Sequence, residues 1–350
     1  MLRKSNYHFL KLIFCLVLFV TLCLTGGSDF LYSSSTKNPP PDPLSTWNTG
    51  SIKTNLLQFV QSVCDPGSKS FVPKEDRIAV FDMDGTIVCE SPLWMEVNAA
   101  QEYLWGEAVK NPALLSYDIY KIAYNYHADP NDPTALKALK DNCVAVMTGA
   151  FVGWDQEDYI RYANEFSKKA QNPDYKISLQ QTFYAPMLQL IDYLVKHDFD
   201  VYVVSGSEQG LIWGVCDGMV PLPRENLVGT LIELTPKYKP MQNKTEFIRG
   251  DSYLSPRNLK TGKPEHIFYQ IGKTPIFAFG NTADDFDMFL YTYTNEYHHI
   301  AFLVDHDDKD REYEYPDEIT REIWRKAVQL NNWNLVSMKG DFKNMFVVKQ

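Results

Sequence analysis

The chain is poor in cysteine, and what it has is scattered. There are six in 350 residues, and two of them, Cys15 and Cys23, lie in an apolar N-terminal stretch. Cys64, Cys89, Cys143 and Cys216 are too few and too far apart for a disulfide framework or a zinc site. One or two bridges and simple buried thiols both stay open for these four. Long hydrophobic runs are missing as well. The run Leu12–Leu24 has 13 residues, against the roughly 20 that a spanning helix needs. No internal repeat is present. Basic residues are in deficit, 34 Lys+Arg against 44 Asp+Glu, for a formal net charge of −10. That balance argues against nucleic acid, whose affinity rests on Lys and Arg neutralising phosphates. With 45% hydrophobic and 22% charged residues, the chain can still bury a core.

The short apolar run has a use of its own. Arg3, Lys4 and Lys11 precede it, and Thr25-Gly-Gly-Ser28 follows. A basic segment, an apolar segment and small residues read as a secretory signal peptide over residues 1–28. The expected location is therefore extracytoplasmic: secreted, periplasmic or at the cell surface. An uncleaved membrane anchor is the alternative, and the only expected contact with a membrane. A lipoprotein is disfavoured, because bulky Leu22 precedes Cys23. Residues 29–50 are rich in Ser and Pro without periodicity, and read as a linker.

Beyond the linker, four apolar runs each lead into polar or Gly-rich residues. They are Arg77–Phe81, Asp200–Val204, Pro275–Phe279 and Ile300–Val304. Unbroken apolar runs, rather than alternating ones, predict strands buried on both faces of a parallel sheet. Met187, Leu190, Ile191, Leu194 and Val195 recur at helical spacing behind Pro186, so a helix feeds the second strand. The fold class expected is α/β, a Rossmann-like doubly wound parallel sheet, with ligands at the carboxyl ends of its strands. About 110 residues separate the first two strands, far more than one crossover helix requires. Residues 91–185 are read as an inserted helical cap, leaving 51–90 and 186–350 as the core.

The strand ends carry chemistry-bearing groups in chain order. Asp82 and Asp84, in Asp82-Met-Asp-Gly-Thr86, pair a carboxylate able to attack an electrophile with one able to move protons. Ser205 offers a hydroxyl donor. Lys263, favoured over Lys260 and Lys273 by its Gly-Lys-Pro setting, offers a cation for developing charge. Gly280-Asn-Thr-Ala-Asp-Asp285 presents oxygen-bearing side chains to a hard divalent cation. His306 and Asp307 sit at the fourth strand end, in a charged segment read as a surface loop rather than as catalytic.

These four motifs resemble those of the haloacid dehalogenase (HAD) superfamily, closest to its phosphoserine-phosphatase-like branch with a helical cap. Trp47–Gly50, Val72–Phe81, Tyr202–Gly206, Ala278–Asn281, Arg311–Tyr315 and Met338–Lys343 look like a group of bacterial extracytoplasmic HAD-like hydrolases. The resemblance implies a Mg²⁺-dependent phosphatase acting on a small phosphomonoester. In it Asp82 is the nucleophile and Asp84 the acid and base, with Ser205 and Lys263 on the phosphoryl oxygens. Asp82, Asp84, Asn281 and Asp285 would serve the metal, and Glu90 resembles a substrate-contacting Glu, one residue closer to the nucleophile. Asn281 stands where many members have Asp. That departure motivates the alternative, a catalytically decayed surface binding protein on the same fold.

Overall fold

The computed structural model describes residues 41–315 and 317–347. The predicted leader, and the linker as far as residue 40, lie outside the described residues. The apolar runs form the middle of a parallel sheet. In chain order, the described strands are β1 (Ile78–Phe81), β2 (Asp200–Glu208), β3 (Leu227–Thr230), β4 (Ile232–Lys239), β5 (Lys244–Tyr253), β6 (Phe277–Gly280), β7 (Ile300–Asp305) and β8 (Asn334–Ser337). Six make one sheet in the order β3-β2-β1-β6-β7-β8, with every neighbouring pair parallel. Residues along each strand alternate between two hydrophobic clusters. Ala79, Phe81, Phe277, Phe279 and Phe302 join one, while Ile78, Val80, Ala278, Ala301 and Leu303 join the other. Both faces are covered, which is why the runs show no polar alternation.

Helices supply the cover. Helix α1 (Ser51–Cys64) buries Leu56, Phe59, Val60 and Val63 along one stripe. Between β1 and the next core helix lie α2 (Met95–Lys110), α3 (Asp118–Ala128), α4 (Pro133–Asp141), α5 (Cys143–Gly149) and α6 (Gln156–Lys169). Helix α7 (Ala185–Val195) has Pro in its first turn and buries Met187, Leu190, Ile191 and Leu194. After β2 come α8 (Gln209–Cys216), α9 (Gly262–His266), α10 (Phe286–Thr292) and α11 (Glu318–Leu330). Among the described residues, no helix is long and apolar enough to cross a membrane. Cys64, Cys89, Cys143 and Cys216 are free thiols.

Three features differ from the sequence reading. The linker was carried to residue 50, yet Leu44 and Trp47 are fully buried, and Trp47 Nε1 donates to the Pro186 carbonyl at 2.9 Å. Pro39–Pro43 signals a linker well, but one large ring a few residues later is enough to anchor the chain. Strand β2 runs past Val204 to Glu208, with a shift of register against β3 between those residues. Third, β4 and β5 form a separate antiparallel hairpin between the second and third motifs. It docks on the inserted helices: Gly153 N–H donates to the Arg249 carbonyl and Arg249 N–H to the Trp154 carbonyl, both at 2.9 Å.

Candidate active site

The ends of β1, β2 and β6, with α9, meet at one point of the sheet. Past β1 the chain turns sharply, and Gly85 takes a φ of 74°. A Cβ there would lie 1.9 Å from the Asn281 amide, so both the turn and the contact demand glycine. Asp82 is buried at 8% exposure and Lys263 at 1%. Lys263 Nζ donates to Asp82 Oδ1 (2.5 Å), Asp285 Oδ1 (2.7 Å) and the Val204 carbonyl (2.8 Å). Asp285 Oδ2 accepts from the backbone N–H groups of Asn281 (2.9 Å) and Thr282 (3.1 Å). Both Asp285 oxygens are thus engaged by Lys263 and the loop that carries Asn281.

Asp84 is held differently. Ser207 Oγ donates to its Oδ2 at 2.7 Å, while its Oδ1 is buried without a hydrogen-bond partner. Burial raises the Asp84 carboxyl to about 6, against the pull of the Ser207 bond. Burial and the neighbouring Asp285 charge push the Asp82 carboxyl well up from its ordinary value, opposed by Lys263. Burial disfavours the Lys263 cation, but Asp285 and Asp82 outweigh it and raise its pKa. Ser205 is fully buried, its Oγ accepting from Ser207 N–H at 3.1 Å. Gly206 and Ser207, rather than Ser205, line the adjoining cleft.

That cleft has a volume of about 710 Å³. Asp82, Asp84, Glu90, Lys263 and Asn281 open onto it, with Trp94, Tyr313 and Tyr315 along the wall. Glu90 is fixed by three aromatic donors: Tyr313 (2.8 Å) and Tyr315 (3.1 Å) to Oε1, and Trp94 Nε1 (3.1 Å) to Oε2. The segment after β7 is not a solvated loop. Asp305, His306, Asp308 and Glu312 are all buried. His306 Nε2 lies 2.7 Å from the Gly85 carbonyl and Nδ1 3.0 Å from Glu312. The Gly85 carbonyl and the Glu312 carboxyl at its two nitrogens favour a charged ring. Burial opposes that charge, and Glu312 overcomes it to raise the His306 pKa. His306 therefore braces the turn that follows Asp82 and Asp84. Tyr313 and Tyr315 escaped the sequence reading because they reach the site from a distant segment; His306 was read as part of a surface loop, and Ser207 was passed over for Ser205 two residues earlier on β2. The charge run 305–312 was the one visible signal, and its burial was not.

The donor set suits a small hard cation. No group of three or more His, Cys, Asp or Glu side chains converges for a metal among the described residues, but a backbone carbonyl and an amide enter this set. The Asn281 amide lies 3.2 Å from Asp82 Oδ2 and 3.3 Å from the Asp84 carbonyl. Oxygens sharing a six-coordinate Mg²⁺ at about 2.1 Å sit about 3 Å apart. The buried charges agree, since Asp82 and Asp285 face one Lys263.

No family model matches the chain, and no curated protein matches it. Solved structures do. A conserved protein of unknown function from Anaerococcus prevotii is 13% identical with a TM-score of 0.50, covering 81% of this chain and 91% of its own. A phosphoserine phosphohydrolase-like protein from Francisella tularensis is 13% identical, covers 77% and 95%, and has a TM-score of 0.38. A HAD family hydrolase from Salmonella enterica is 14% identical, covers 77% and 69%, and has a TM-score of 0.37. Within the chain, the first, second and fourth motifs stand at the ends of β1, β2 and β6, Lys263 reaches them from α9, and helices are inserted after the first motif. The chain shares its fold, a parallel sheet covered by helices, with the first of these structures. The β4–β5 hairpin packs against the inserted helices.

Proposed function

We propose that this HAD-fold chain is an exported phosphatase that hydrolyses a small phosphomonoester in two displacements. The observation that carries the reading is the contrast between the two carboxyls that face the cleft. Asp82 is gripped by a buried lysine, whereas Asp84 sits near 6 on a serine hydroxyl. Pairs of acids pushed to different ionisation are what nucleophile and acid/base roles require.

In the first step an Asp82 carboxylate oxygen attacks phosphorus and the bond to the leaving oxygen breaks. Protonated Asp84 gives its proton to that oxygen, so an alcohol departs and Asp82 carries the phosphoryl group. In the second step ionised Asp84 takes a proton from water as the water oxygen attacks the same phosphorus, releasing phosphate and restoring Asp82. Lys263 offsets charge on the phosphoryl oxygens, and the Gly206–Ser207 edge of the cleft faces the same group. Asp82, the Asp84 carbonyl and Asn281 would hold Mg²⁺, which when bound neutralises charge on the phosphoryl group. The cap walls the cleft and limits water during transfer. The leader at 1–28 supports export; an uncleaved leader would leave the enzyme membrane-anchored.

The test is phosphate release by residues 29–350 from a panel of small phosphomonoesters with Mg²⁺. Wild type turns over at least one of them, and Asp82→Asn none. Equal release by both proteins would overturn the mechanism. Tight binding of one ester without any release would instead favour the binding-protein alternative.

A further inference from the structure

The Asn281 amide has two faces with opposite needs. One end lies among Thr86 Oγ1 (3.3 Å), Asp82 Oδ2 (3.2 Å) and the Asp84 carbonyl (3.3 Å). The other lies 2.7 Å from the Tyr315 hydroxyl and 3.3 Å from Glu90 Oε1. The side chain is 1% exposed, so each end depends on its protein neighbours, and whichever atom points inward must fit them. With nitrogen inward, the amide donates to Asp82 Oδ2 and to the Asp84 carbonyl, and its oxygen accepts from Tyr315. With oxygen inward, the amide oxygen accepts from Thr86 alone and stands against two further acceptors, Asp82 Oδ2 and the Asp84 carbonyl, a repulsion that a cation among the three relieves. The outward nitrogen then donates to Tyr315 and Glu90, while the Tyr315 proton goes to Glu90 at 3.1 Å.

We propose that Asn281 is a two-state ligand. Its amide nitrogen caps Asp82 and the Asp84 carbonyl when no cation is bound, and the amide turns over to give its oxygen to the ion. Tyr315 serves both states, because a hydroxyl can donate to the amide oxygen or accept from the amide nitrogen. The physical consequence separates Asn from Asp at this position. An Asp adds charge for the cation and so tightens binding. Without the cation it has no proton to donate, and it adds a buried carboxylate beside Asp82 in a site already short of positive charge. Asn281 therefore sustains the folded site in the absence of metal, at the cost of weaker metal binding.

This inference takes the Mg²⁺ site from the functional reading, and the experiment separates the two. Mg²⁺ dissociation constants by calorimetry, and thermal midpoints in chelator and in saturating Mg²⁺, are measured for wild type, Asn281→Asp and Asn281→Ala. Asn281→Asp should bind Mg²⁺ about tenfold tighter. In chelator it should melt about 5 °C or more below wild type, and in saturating Mg²⁺ it should equal or exceed wild type. Should it not fold in chelator, its midpoint must still overtake wild type as Mg²⁺ rises. Asn281→Ala should lose Mg²⁺ affinity by at least about tenfold. Unchanged chelator stability in Asn281→Asp, or no gain in its affinity, would overturn the two-state ligand. Failure of wild type to bind Mg²⁺ would sink the metal reading and this inference with it.

Discussion

At the scale of single residues, the site is arranged around a charge imbalance. Lys263 is at 1% exposure and lies between Asp82 and Asp285. Removing the cation from a buried group of this kind leaves carboxylates without compensation, a loss of about 3–5 kcal/mol. Lys263→Met keeps the length and apolar stem of the side chain, so its effect isolates the charge. Urea unfolding at neutral pH should show a loss of that size, and acidification should recover part of it because the Asp82 carboxyl, already raised by burial, can then take a proton. A stability equal to wild type at neutral pH would mean that Lys263 does not neutralise this pair. Residue identity at the strand ends was legible in the sequence, since Asp, Ser and Asn there follow unmistakable apolar runs, whereas Lys263, in α9, was marked only by its Gly-Lys-Pro setting. What each side chain touches was not. Ser207 rather than Ser205 reaches Asp84, in the stretch of β2 where the register against β3 shifts and strict alternation is lost.

At the scale of elements, the inserted helices, the hairpin and the sheet are joined by one buried polar cluster. Glu96, at the start of α2, accepts from Tyr253 of β5 at 2.5 Å and from the Glu208 N–H at the end of β2 at 2.9 Å. Arg249 of β5 binds Gln156 of α6 at 2.7 Å and pairs with Glu208 at 3.3 Å. Its guanidinium also stands 3.7 Å from the Tyr159 ring centre. Burial raises the Glu96 carboxyl to about 7 from its ordinary 4.5, with Glu208 adding to the rise and the Tyr253 bond opposing it. Between those two values the folded chain keeps a proton that the unfolded chain has released, so stability falls as pH rises through the window. Taken over the full window, the loss is of the order of 3 kcal/mol. Glu96→Gln removes the titration while preserving size and polarity. It should flatten the thermal midpoint between about pH 4.5 and 7 relative to wild type, as scanning calorimetry at several pH values would show. An unchanged slope would place the titration elsewhere. The hairpin itself was not legible, because β4 is mostly exposed and its Thr235–Lys239 stretch shows no apolar face. Parallel strands announce themselves through double-sided burial. A solvent-facing hairpin does not.

At the scale of the whole molecule, the two ends of the described chain close on each other beneath the sheet. Asn48 N–H donates to the Asp341 carbonyl at 2.8 Å and Lys343 N–H to the Thr46 carbonyl at 2.9 Å. The Trp47 ring packs edge-on against Phe342 at 5.0 Å and against Phe279 at 6.5 Å. Phe279 is the penultimate residue of β6, and its carbonyl accepts from Asp82 N–H at 2.9 Å. The segment read as linker thus supports the strand that carries Asn281 and the backbone of the proposed nucleophile. A fully buried Trp replaced by Ala costs about 3–5 kcal/mol through lost burial and the cavity left behind. Trp47→Ala should lose that amount in urea unfolding. A chain beginning at residue 43 should match the stability of one beginning at residue 29, whereas a chain beginning at residue 51 should fall to the level of Trp47→Ala or below. Because the loss falls on the strand next to the proposed nucleophile, phosphate release should drop with it at temperatures near the lowered midpoint and recover on cooling. Equal stability for the chains beginning at 43 and 51 would return residues 43–50 to the role of a tether.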